Sequence, residues 1–310
     1  MVQYKSPHRE YEFILREVLE IEKVLGKYPE YDEASWDMIE IICEQFGKIN
    51  EEYWLKSAKD GDEIGATFKD GNVTVPESMK EATKMVIDSG LTQLFGHQKY
   101  GGMEFPNVIS VLSDEMSCAT NMSLGIYMGL TKGAYHCINN HGSEEIKNTY
   151  LPKFLTGEWF GTMCLTEAHC GTDLGLIRTS AKPDNDSYSI NGQKIFISCG
   201  EHDMADNIIH LVLARLPNSP KGVKGISLFL VPKYHVNNNG TLGDRNGVNC
   251  VSIEEKMGVH GSATCVMSFE NATGYLIGEI NEGLAAMFSM MNTERIAVGL
   301  QGLGQAEIAY

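Results

Sequence analysis

The stretch from Gly157 to Thr179, GEWFGTMCLTEAHCGTDLGLIRT, marks the point at which helical patterns in the chain give way to strand patterns. It has no 3.6-residue periodicity, and its mixture of Gly, Thr, Asp and Cys predicts a buried strand that opens into a shaped loop. Gly171, Thr172 and Gly175 allow a backbone to approach a ligand closely, and such turns can aim N–H groups at phosphate oxygens. The loop therefore favours an anionic ligand, with a plain turn as the alternative.

Composition bounds the class of protein. The 310 residues, 43% of them hydrophobic, are enough for about two domains with a sizeable core. The formal net charge of −16 argues against nucleic acid or an anionic membrane surface as a partner. The N-terminus lacks the apolar segment of a signal peptide, and no apolar run reaches about twenty residues, so we expect a cytoplasmic protein. The eight scattered cysteines favour reduced thiols over a disulfide framework.

Helical patterns dominate the chain before Gly157. Apolar residues recur at i, i+3, i+4 and i+7 over 11–25 and again over 36–46, which predicts two helices. Pro76 and Pro106 are placed to open two more helices. Ser143, followed by two glutamates, has the pattern of an N-cap with acidic residues in the first turn.

Strand patterns dominate the chain after Thr179. A two-residue period continues on both sides of Asn191-Gly192, through Tyr188 and Ile190 before it and from Lys194 to Ser198 after it. Asn-Gly between two such alternating runs predicts a β-hairpin. A polar excursion, VNNNGTLGDRNG, interrupts the later strands. Further strands are predicted at Ile208–Leu213, Ile226–Val231, Cys250–Ile253 and Cys265–Phe269.

These patterns predict an α+β chain with three parts. Residues 1–160 form an N-terminal all-α domain with an N-terminal extension, and residues 161–280 form a middle antiparallel β domain. Residues 281–310 form the first helix of a C-terminal helical bundle. The apolar face of that helix continues to Tyr310, so we expect further helices to follow it in a longer protein.

Four longer motifs follow one another in the chain: HGSEEIKNTYLPKFLTGEWFGTMCLTE, INGQKIFISCGEHDMAD, EEKMGVHGSATCVMSFE and MNTERIAVGLQGLGQAEIAY. In this order and spacing they resemble the motifs of the acyl-CoA dehydrogenases, and the resemblance covers nearly the whole chain from Tyr100 onward. The extended N-terminus, His169-Cys170 and the polar excursion look most like the branch that includes 3-(methylthio)propanoyl-CoA dehydrogenase.

The resemblance implies a function. It implies FAD as cofactor and α,β-desaturation of an acyl-CoA thioester, either 3-(methylthio)propanoyl-CoA or a fatty acyl-CoA, with electrons passed to an electron-transfer flavoprotein. It also implies a homodimer or homotetramer. The alternative from another class is a homologue that binds flavin or acyl-CoA without catalysis.

The resemblance also assigns site residues. Thr172, Asn292 and Arg295 match positions near the acyl-CoA, and i, i+3 spacing places the last two on one helix face. Met163, Phe196, Ala168 and His169 stand where the family commonly has Tyr, Trp, Pro and Gly. The positions that match cofactor-binding residues are Met163, Leu165, Thr166, Gly171, Thr172, Phe196, Ile197 and Ser198.

Two positions compete for the catalytic base that removes the Cα proton. In most of the family the base is a Glu that would lie beyond Tyr310, whereas a minority carries it on the helix just before the Arg. Glu294 occupies that minority position. The alternative for Glu294 is an ordinary helix residue paired with a neighbouring cation.

Two other sites compete with the flavin site. His and Cys are the usual zinc ligands, but the cysteines here lack the short spacing of structural zinc sites, so we expect no metal. His136-Cys137 suggests a nucleophile, but adjacent helix positions do not face each other, which favours core packing. The residues of the competing metal site are Cys164, His169, Cys170, Cys199 and His202.

Overall fold

The computed structural model describes residues 3–237 and 239–310. Its N-terminal half is helical and its later part is built on a seven-stranded sheet, followed by one long helix. The helices are α1 (His8–Glu12), α2 (Ile21–Leu25), α3 (Trp36–Ile49), α4 (Leu55–Glu63), α5 (Glu77–Asp88), α6 (Asn107–His141), α7 (Glu144–Leu155) and α8 (Gly283–Ala309).

The single helix predicted over 11–25 is wrong in its continuity. After α1 the chain widens into a π-helical segment, Phe13–Val18, and then breaks at Glu20, which adopts a left-handed conformation with φ of 47°. Tyr11 and Leu15 still face the core, so the apolar pattern reports burial correctly. The predicted start signals hold elsewhere: Pro76 and Pro106 immediately precede α5 and α6, and the Ser143 hydroxyl caps α7 by accepting a hydrogen bond from the Ile146 N–H.

Helix α6 bends sharply at Asn121, whose φ of −150° and ψ of 87° are not helical. The Asn121 side chain replaces the lost backbone bonds, because its Oδ1 accepts from the Leu124 N–H and its Nδ2 donates to Ser57. The Lys132 ammonium contacts Asp114, 18 residues earlier in the same element. A straight helix would separate them by about 27 Å, so α6 folds back on itself at this residue.

Two short strands, β1 and β2, precede the sheet, and two more, β8 and β9, form a separate pair that includes part of the polar excursion. The sheet order is β10-β11-β5-β4-β6-β3, with β7 bridging β6 and β11. The strands are β1 (Thr67–Lys69), β2 (Asn72–Thr74), β3 (Trp159–Cys164), β4 (Ser180–Asp184), β5 (Ser187–Ser198), β6 (Asn207–Arg215), β7 (Ile226–Pro232), β8 (Tyr234–Val236), β9 (Leu242–Arg245), β10 (Val248–Ile253) and β11 (Thr264–Ile277). Most pairs are antiparallel as predicted, but β3 runs parallel to β6, so the sheet is mixed.

The hairpin predicted at Asn191-Gly192 is wrong, because β5 runs straight through these residues. The turn lies instead at Asn185, between β4 and β5, with φ of 51°. Asn191 accepts a hydrogen bond from the Asn271 N–H on β11. At Gly192, which has φ of 153°, an added Cβ would approach Thr179 to 2.5 Å. The dipeptide therefore serves close packing between strands rather than a chain reversal.

The helices and the sheet meet where α6 packs on β3. An added Cβ at Gly161 on β3 would overlap the Ala134 methyl group of α6, so a missing side chain allows this approach. On the opposite side, α8 crosses α6 closely at Gly304, where an added Cβ would meet the backbone of Glu115 and Ala119. Helix α6 is therefore sandwiched between the sheet and α8.

The α+β class, with helices first and a β domain after them, is confirmed by this architecture. The domain boundaries at 160/161 and 280/281 stay predictions. Across the residues that the structure describes, no helix combines the length and apolarity needed to cross a membrane.

The contact between α6 and β3 yields a prediction. Gly161→Ala should lower the free energy of unfolding by about 1–3 kcal/mol, because the added methyl group overpacks against Ala134. Gly161→Ala combined with Ala134→Gly should recover part of that loss in chemical denaturation. Gly299→Ala is the matched control, since nothing lies within 4 Å of its added Cβ and it should stabilise α8. Equal effects of the two single changes would contradict the packing described here.

Candidate active site

The end of β3 and the end of β5 lie side by side. Beyond Cys164 the backbone continues to Thr166, whose carbonyl accepts a hydrogen bond of 2.9 Å from the Ile195 N–H of β5. This contact brings Met163, Leu165 and Thr166 beside Phe196 and Ser198. We call this surface, formed by residues 163–166 and 196–198, the ledge. Two segments that are about thirty residues apart in sequence thus form one surface, as the assigned cofactor positions require.

A buried ion pair links the two segments of the ledge. The Lys194 ammonium donates to Glu167 Oε1 at 2.9 Å and to the Leu165 carbonyl at 2.8 Å, and the Lys194 side chain is 0% exposed. Glu167 also accepts from the Arg178 N–H and from the N–H and hydroxyl of Thr179. Burial lowers the pKa of Lys194. Burial raises the pKa of Glu167, but Lys194 and these hydrogen bonds outweigh it and hold that pKa below its ordinary value.

Phe196 projects from the ledge because β5 bulges there. The register between β5 and β11 shifts between Cys265 and Met267, and Phe196 adopts φ of 57°. A left-handed conformation is unfavourable for a bulky residue and is typical of functional sites when the surroundings enforce it. The Phe196 side chain is left 59% exposed, whereas Ile197 is buried in the sheet core. At this position only the backbone of Ile197 can face a ligand.

Three hydroxyl groups on or beside the ledge have no protein partner in the described chain: those of Thr166, Thr172 and Ser198. Thr172 lies with Gly171 in an exposed loop that Asp173 shapes by accepting a hydrogen bond from the Gly175 N–H. Hydroxyls that are free to donate and accept suit a polar heterocycle or a phosphate. The ledge thus combines an exposed aromatic ring with unused hydrogen-bonding groups.

Arg215 braces the loop from the side. Its guanidinium donates to the carbonyls of Gly175, Ile177, Pro220 and Gly222, at 2.7 to 3.1 Å. The rigid guanidinium group thus binds four carbonyls from two segments of the chain, which holds the loop after Thr172 in one position.

Glu294 lines a cavity of about 390 Å³ between α6 and α8. Its Oε1 atom is buried and makes no hydrogen bond, and within the described chain no cation lies within 4 Å of the carboxyl group. The interpretation of Glu294 as a residue paired with a neighbouring cation is therefore wrong. Burial raises the pKa of Glu294 to about 7, with Asp114 contributing in the same direction.

Asn292 and Arg295 lie on one face of α8 as predicted. Arg295 donates to Asn292 Oδ1 at 2.7 Å, and its guanidinium stacks over Phe288 at 5.2 Å from the ring centroid. Both side chains are exposed, and Asn292 lines the same cavity as Glu294. Asn292 therefore shares the cavity with Glu294, and Arg295 is held next to Asn292.

The five residues of the competing metal site are not brought together. In the described parts of the chain, the one group of three or more clustered ligand atoms is Glu167, His169 and Cys170. Glu167 Oε1 already accepts from Lys194 and Thr179, and Oε2 accepts from the Arg178 N–H. His169 Nε2 contacts the Leu176 carbonyl at 2.9 Å. The remaining members lie in separate buried surroundings: Cys164 beside Thr162 and His210, Cys199 beside Ser262, and His202 between Tyr127 and Phe160.

The side chains of His136 and Cys137 have different surroundings on α6. Cys137 is fully buried and donates to the Ala286 carbonyl of α8, and burial raises its pKa to about 12. His136 lines the cavity, and burial lowers its pKa to about 4. A thiol that stays protonated has no nucleophilic role here, which confirms core packing for Cys137.

Sequence reasoning missed the residues that hold the site together: Lys194, Glu167 and Arg215. The alternation of β5 gives no signal for Lys194, because it places Lys194 on the same face as the exposed Phe196 and opposite the buried Ile197. A lysine at an inward strand position requires a buried carboxylate. Glu167, which ends the first motif, was the available partner.

Family comparisons fit this geometry. The N-terminal domain of acyl-CoA dehydrogenases matches residues 65–158, and the middle domain of the same family matches residues 162–272. The chain belongs to the acyl-CoA dehydrogenase family.

Individual relatives agree with this assignment. Over 99% of its length the chain is 42% identical to 3-methylmercaptopropionyl-CoA dehydrogenase of Ruegeria pomeroyi, and it covers 52% of that protein. It is similar to the structure of butyryl-CoA dehydrogenase from Megasphaera elsdenii, with TM-score 0.72, 25% identity, and coverage of 89% of this chain and 67% of that one. A Bacillus anthracis acyl-CoA dehydrogenase complexed with FAD aligns at TM-score 0.68 and 25% identity, over 88% of this chain and 43% of that one. The chain spans about half the length of the curated relatives it matches.

The ion pair below the ledge yields a prediction. Lys194→Met should lower the free energy of unfolding by about 3–5 kcal/mol, because it leaves the Glu167 charge buried without its partner. Adding Glu167→Gln should recover part of the loss in urea denaturation, since the double variant has no buried charge. Losses that simply add in the double variant would contradict a coupled pair.

The Glu294 carboxyl yields a prediction about pH. Its pKa, about 7, is higher in the folded chain than the ordinary value of 4.5, so the folded chain binds the extra proton. The stability of the wild-type chain relative to Glu294→Gln should therefore fall as the pH rises from about 4.5 to about 7 and level off above it. The full change is about 3 kcal/mol. Unfolding curves at several pH values measure it, and a pH-independent difference would contradict the burial of this carboxyl group.

Proposed function

We propose that this chain carries the flavin ledge and one wall of the substrate site of an FAD-dependent acyl-CoA dehydrogenase. The observation that carries the proposal is the ledge itself, which combines the exposed Phe196 ring with the unpartnered hydroxyls of the partly buried Thr166 and Ser198. Family membership supports the same cofactor, and the Bacillus anthracis relative is described as complexed with FAD.

The residues present fit a flavin. A planar ring system can lie beside the exposed Phe196 ring, as aromatic groups do in offset or edge contacts. Thr166 and Ser198 can exchange hydrogen bonds with its polar edge, and the loop at Gly171 and Thr172 can accept the pyrophosphate. FAD, when bound, supplies the hydride acceptor of the reaction. Met163 in place of the common Tyr and Phe196 in place of the common Trp leave two hydrogen-bonding groups fewer beside the ring, a hydroxyl and an indole N–H.

The substrate in this proposal is an acyl-CoA thioester. Asn292, Arg295 and Thr172 contact the CoA part, and the cavity between α6 and α8 takes the acyl part. Desaturation requires that the Cα proton pass to a carboxylate and the Cβ hydride to the flavin, which leaves a double bond between these carbons. We propose either Glu294 or a Glu outside these 310 residues as the carboxylate. Glu294 lies in the cavity with a free oxygen, which supports its candidacy.

Other features rest on the family resemblance or, for the location, on the N-terminal sequence. An electron-transfer flavoprotein as acceptor, a homodimer or homotetramer, and a cytoplasmic location are predictions. A short acyl chain, such as 3-(methylthio)propanoyl or butyryl, is proposed from the names of the relatives.

A second function, flavin or acyl-CoA binding without desaturation, stays open while the base is unassigned. Single-turnover mixing of the FAD-loaded chain with butyryl-CoA distinguishes the two. Bleaching of the flavin absorbance supports the dehydrogenase, and bleaching that Glu294→Gln abolishes assigns the base to Glu294. An unchanged spectrum with measurable acyl-CoA binding would exclude Glu294 as the base, and would leave either a binding protein or a base outside these 310 residues.

Phe196→Ala tests the ledge. Because the ring is largely exposed, the change should alter the unfolding free energy of the flavin-free chain by less than about 1 kcal/mol. FAD affinity, measured by fluorescence quenching, should fall at least tenfold, and released flavin should chromatograph as FAD rather than FMN.

The matched control for Phe196→Ala is Leu176→Ala, whose side chain is 56% exposed in the nearby loop region. It should leave FAD affinity within about twofold. Similar losses in both variants would mean that general surface apolarity, rather than the Phe196 ring, governs retention, and that result would overturn the ledge assignment.

A further inference from the structure

The Glu294 carboxyl group lies in a notch made by two glycines of α6. A Cβ added at Gly133 would approach Glu294 Oε1 to 2.7 Å, and one added at Gly129 would approach Oε2 to 3.8 Å. These glycines are one helical turn apart and so share a face. The carboxyl group therefore lies against the bare backbone of α6, with no donor supplied from the helix surface.

A cation that could neutralise Glu294 stands close by. Lys132 immediately precedes Gly133 and lines the same cavity. Its ammonium group is turned to the other half of α6, where it contacts Asp114 at 2.8 Å and Ser110 Oγ at 2.6 Å. The bend at Asn121 makes this possible, because it brings the first half of α6 alongside the second.

We propose that Asp114 is a positioning residue for Glu294: by holding Lys132 in an ion pair across the bend of α6, it keeps the ammonium group from pairing with the Glu294 carboxyl group. Glu294 Oε1 then keeps no hydrogen-bond partner. An ion pair with Lys132 would instead occupy that oxygen and stabilise the carboxylate.

The other titratable groups around Glu294 do not supply a competing charge. His136 is neutral, because burial lowers its pKa to about 4. The thiols of Cys118, on α6, and of Cys199, at the end of β5, are protonated, because burial raises their pKa values. Arg295 points to Asn292 and Phe288. Among the described residues that face this carboxyl group, Asp114 and Lys132 are thus the charged pair that sets its surroundings.

The two members of the pair act on Glu294 with opposite sign. Asp114 raises the pKa of Glu294, and Lys132 lowers it. Removing one charge leaves the other uncompensated in a site of low dielectric, where unit charges interact strongly over several ångströms. The usefulness of this arrangement for proton abstraction rests on the proposed function, but the geometry and its test do not.

The experiment measures the pKa of Glu294 directly. The chain is labelled with ¹³C at the glutamate side-chain carboxyl carbon and titrated by NMR, without flavin or substrate, and Glu294→Gln assigns the signal. Asp114→Asn should lower the Glu294 pKa by about one unit or more, and Lys132→Met should raise it by a similar amount. The double variant should return it toward the wild-type value.

Glu307, on the same helix, is the matched control. Its pKa is also raised to about 7, by burial and by its neighbour Glu115 rather than by Asp114. Its signal, assigned with Glu307→Gln, should not move in the Asp114 and Lys132 variants. Lys132→Gln keeps hydrogen bonding without charge and replaces Lys132→Met should that variant fail to fold.

A structural role alone gives a different pattern. Loosening the bend would expose Glu294 in both single variants and move its pKa downward in both. Shifts in the same direction, or no shift, would overturn the proposal. Because the titration uses no flavin or acyl-CoA, a failure here is distinct from a failure of the proposed function, which the flavin-bleaching experiment measures.

Discussion

The candidate site depends on one buried ion pair, between Lys194 on β5 and Glu167 at the end of β3. Moving two charges out of water costs several kcal/mol per ion unless every hydrogen-bonding group is satisfied. Lys194 makes two of its three possible hydrogen bonds, to Glu167 and to the Leu165 carbonyl, and the Glu167 oxygens accept further hydrogen bonds from the Arg178 N–H and Thr179. Since these partners come from three segments, they can all be satisfied only when the ledge is assembled, so the pair specifies this one arrangement.

A second constraint is the close packing of α6. The helix packs against both the sheet and α8, and these close approaches require missing side chains: Gly161 of β3 faces α6, and Gly129 and Gly133 of α6 face Glu294. The bend at Asn121 then turns one long element into two packed helices that share the Lys132–Asp114 pair. Backbone proximity and charge placement thus come from the same element.

The sequence predicted the order of elements well, because apolar periodicity and capping residues are local signals. Ser143 and Pro106 mark helix starts that the structure reproduces. The hairpin prediction at Asn191-Gly192 failed because Gly192 is needed for close packing against Thr179. No local pattern reveals such a tertiary contact. The break at Glu20 was likewise invisible to periodicity.

The candidate site was predicted less completely than the fold. The family resemblance located the ledge residues by their motifs, and the structure brings them side by side. The resemblance gave no indication of why these residues hold their positions, since Lys194 and Arg215 act through buried contacts. The isolation of Glu294 depends on glycines of α6 that are far from it in sequence.

The central claim, that the Lys194–Glu167 pair shapes the ledge, is tested most directly by FAD affinity in a variant that folds without the pair. Lys194→Met combined with Glu167→Gln has no buried charge, and its fold can be checked by circular dichroism. Titration of FAD against this variant and the wild-type chain, followed by fluorescence, should give a dissociation constant at least tenfold weaker for the variant. Equal dissociation constants in a folded double variant would contradict the account.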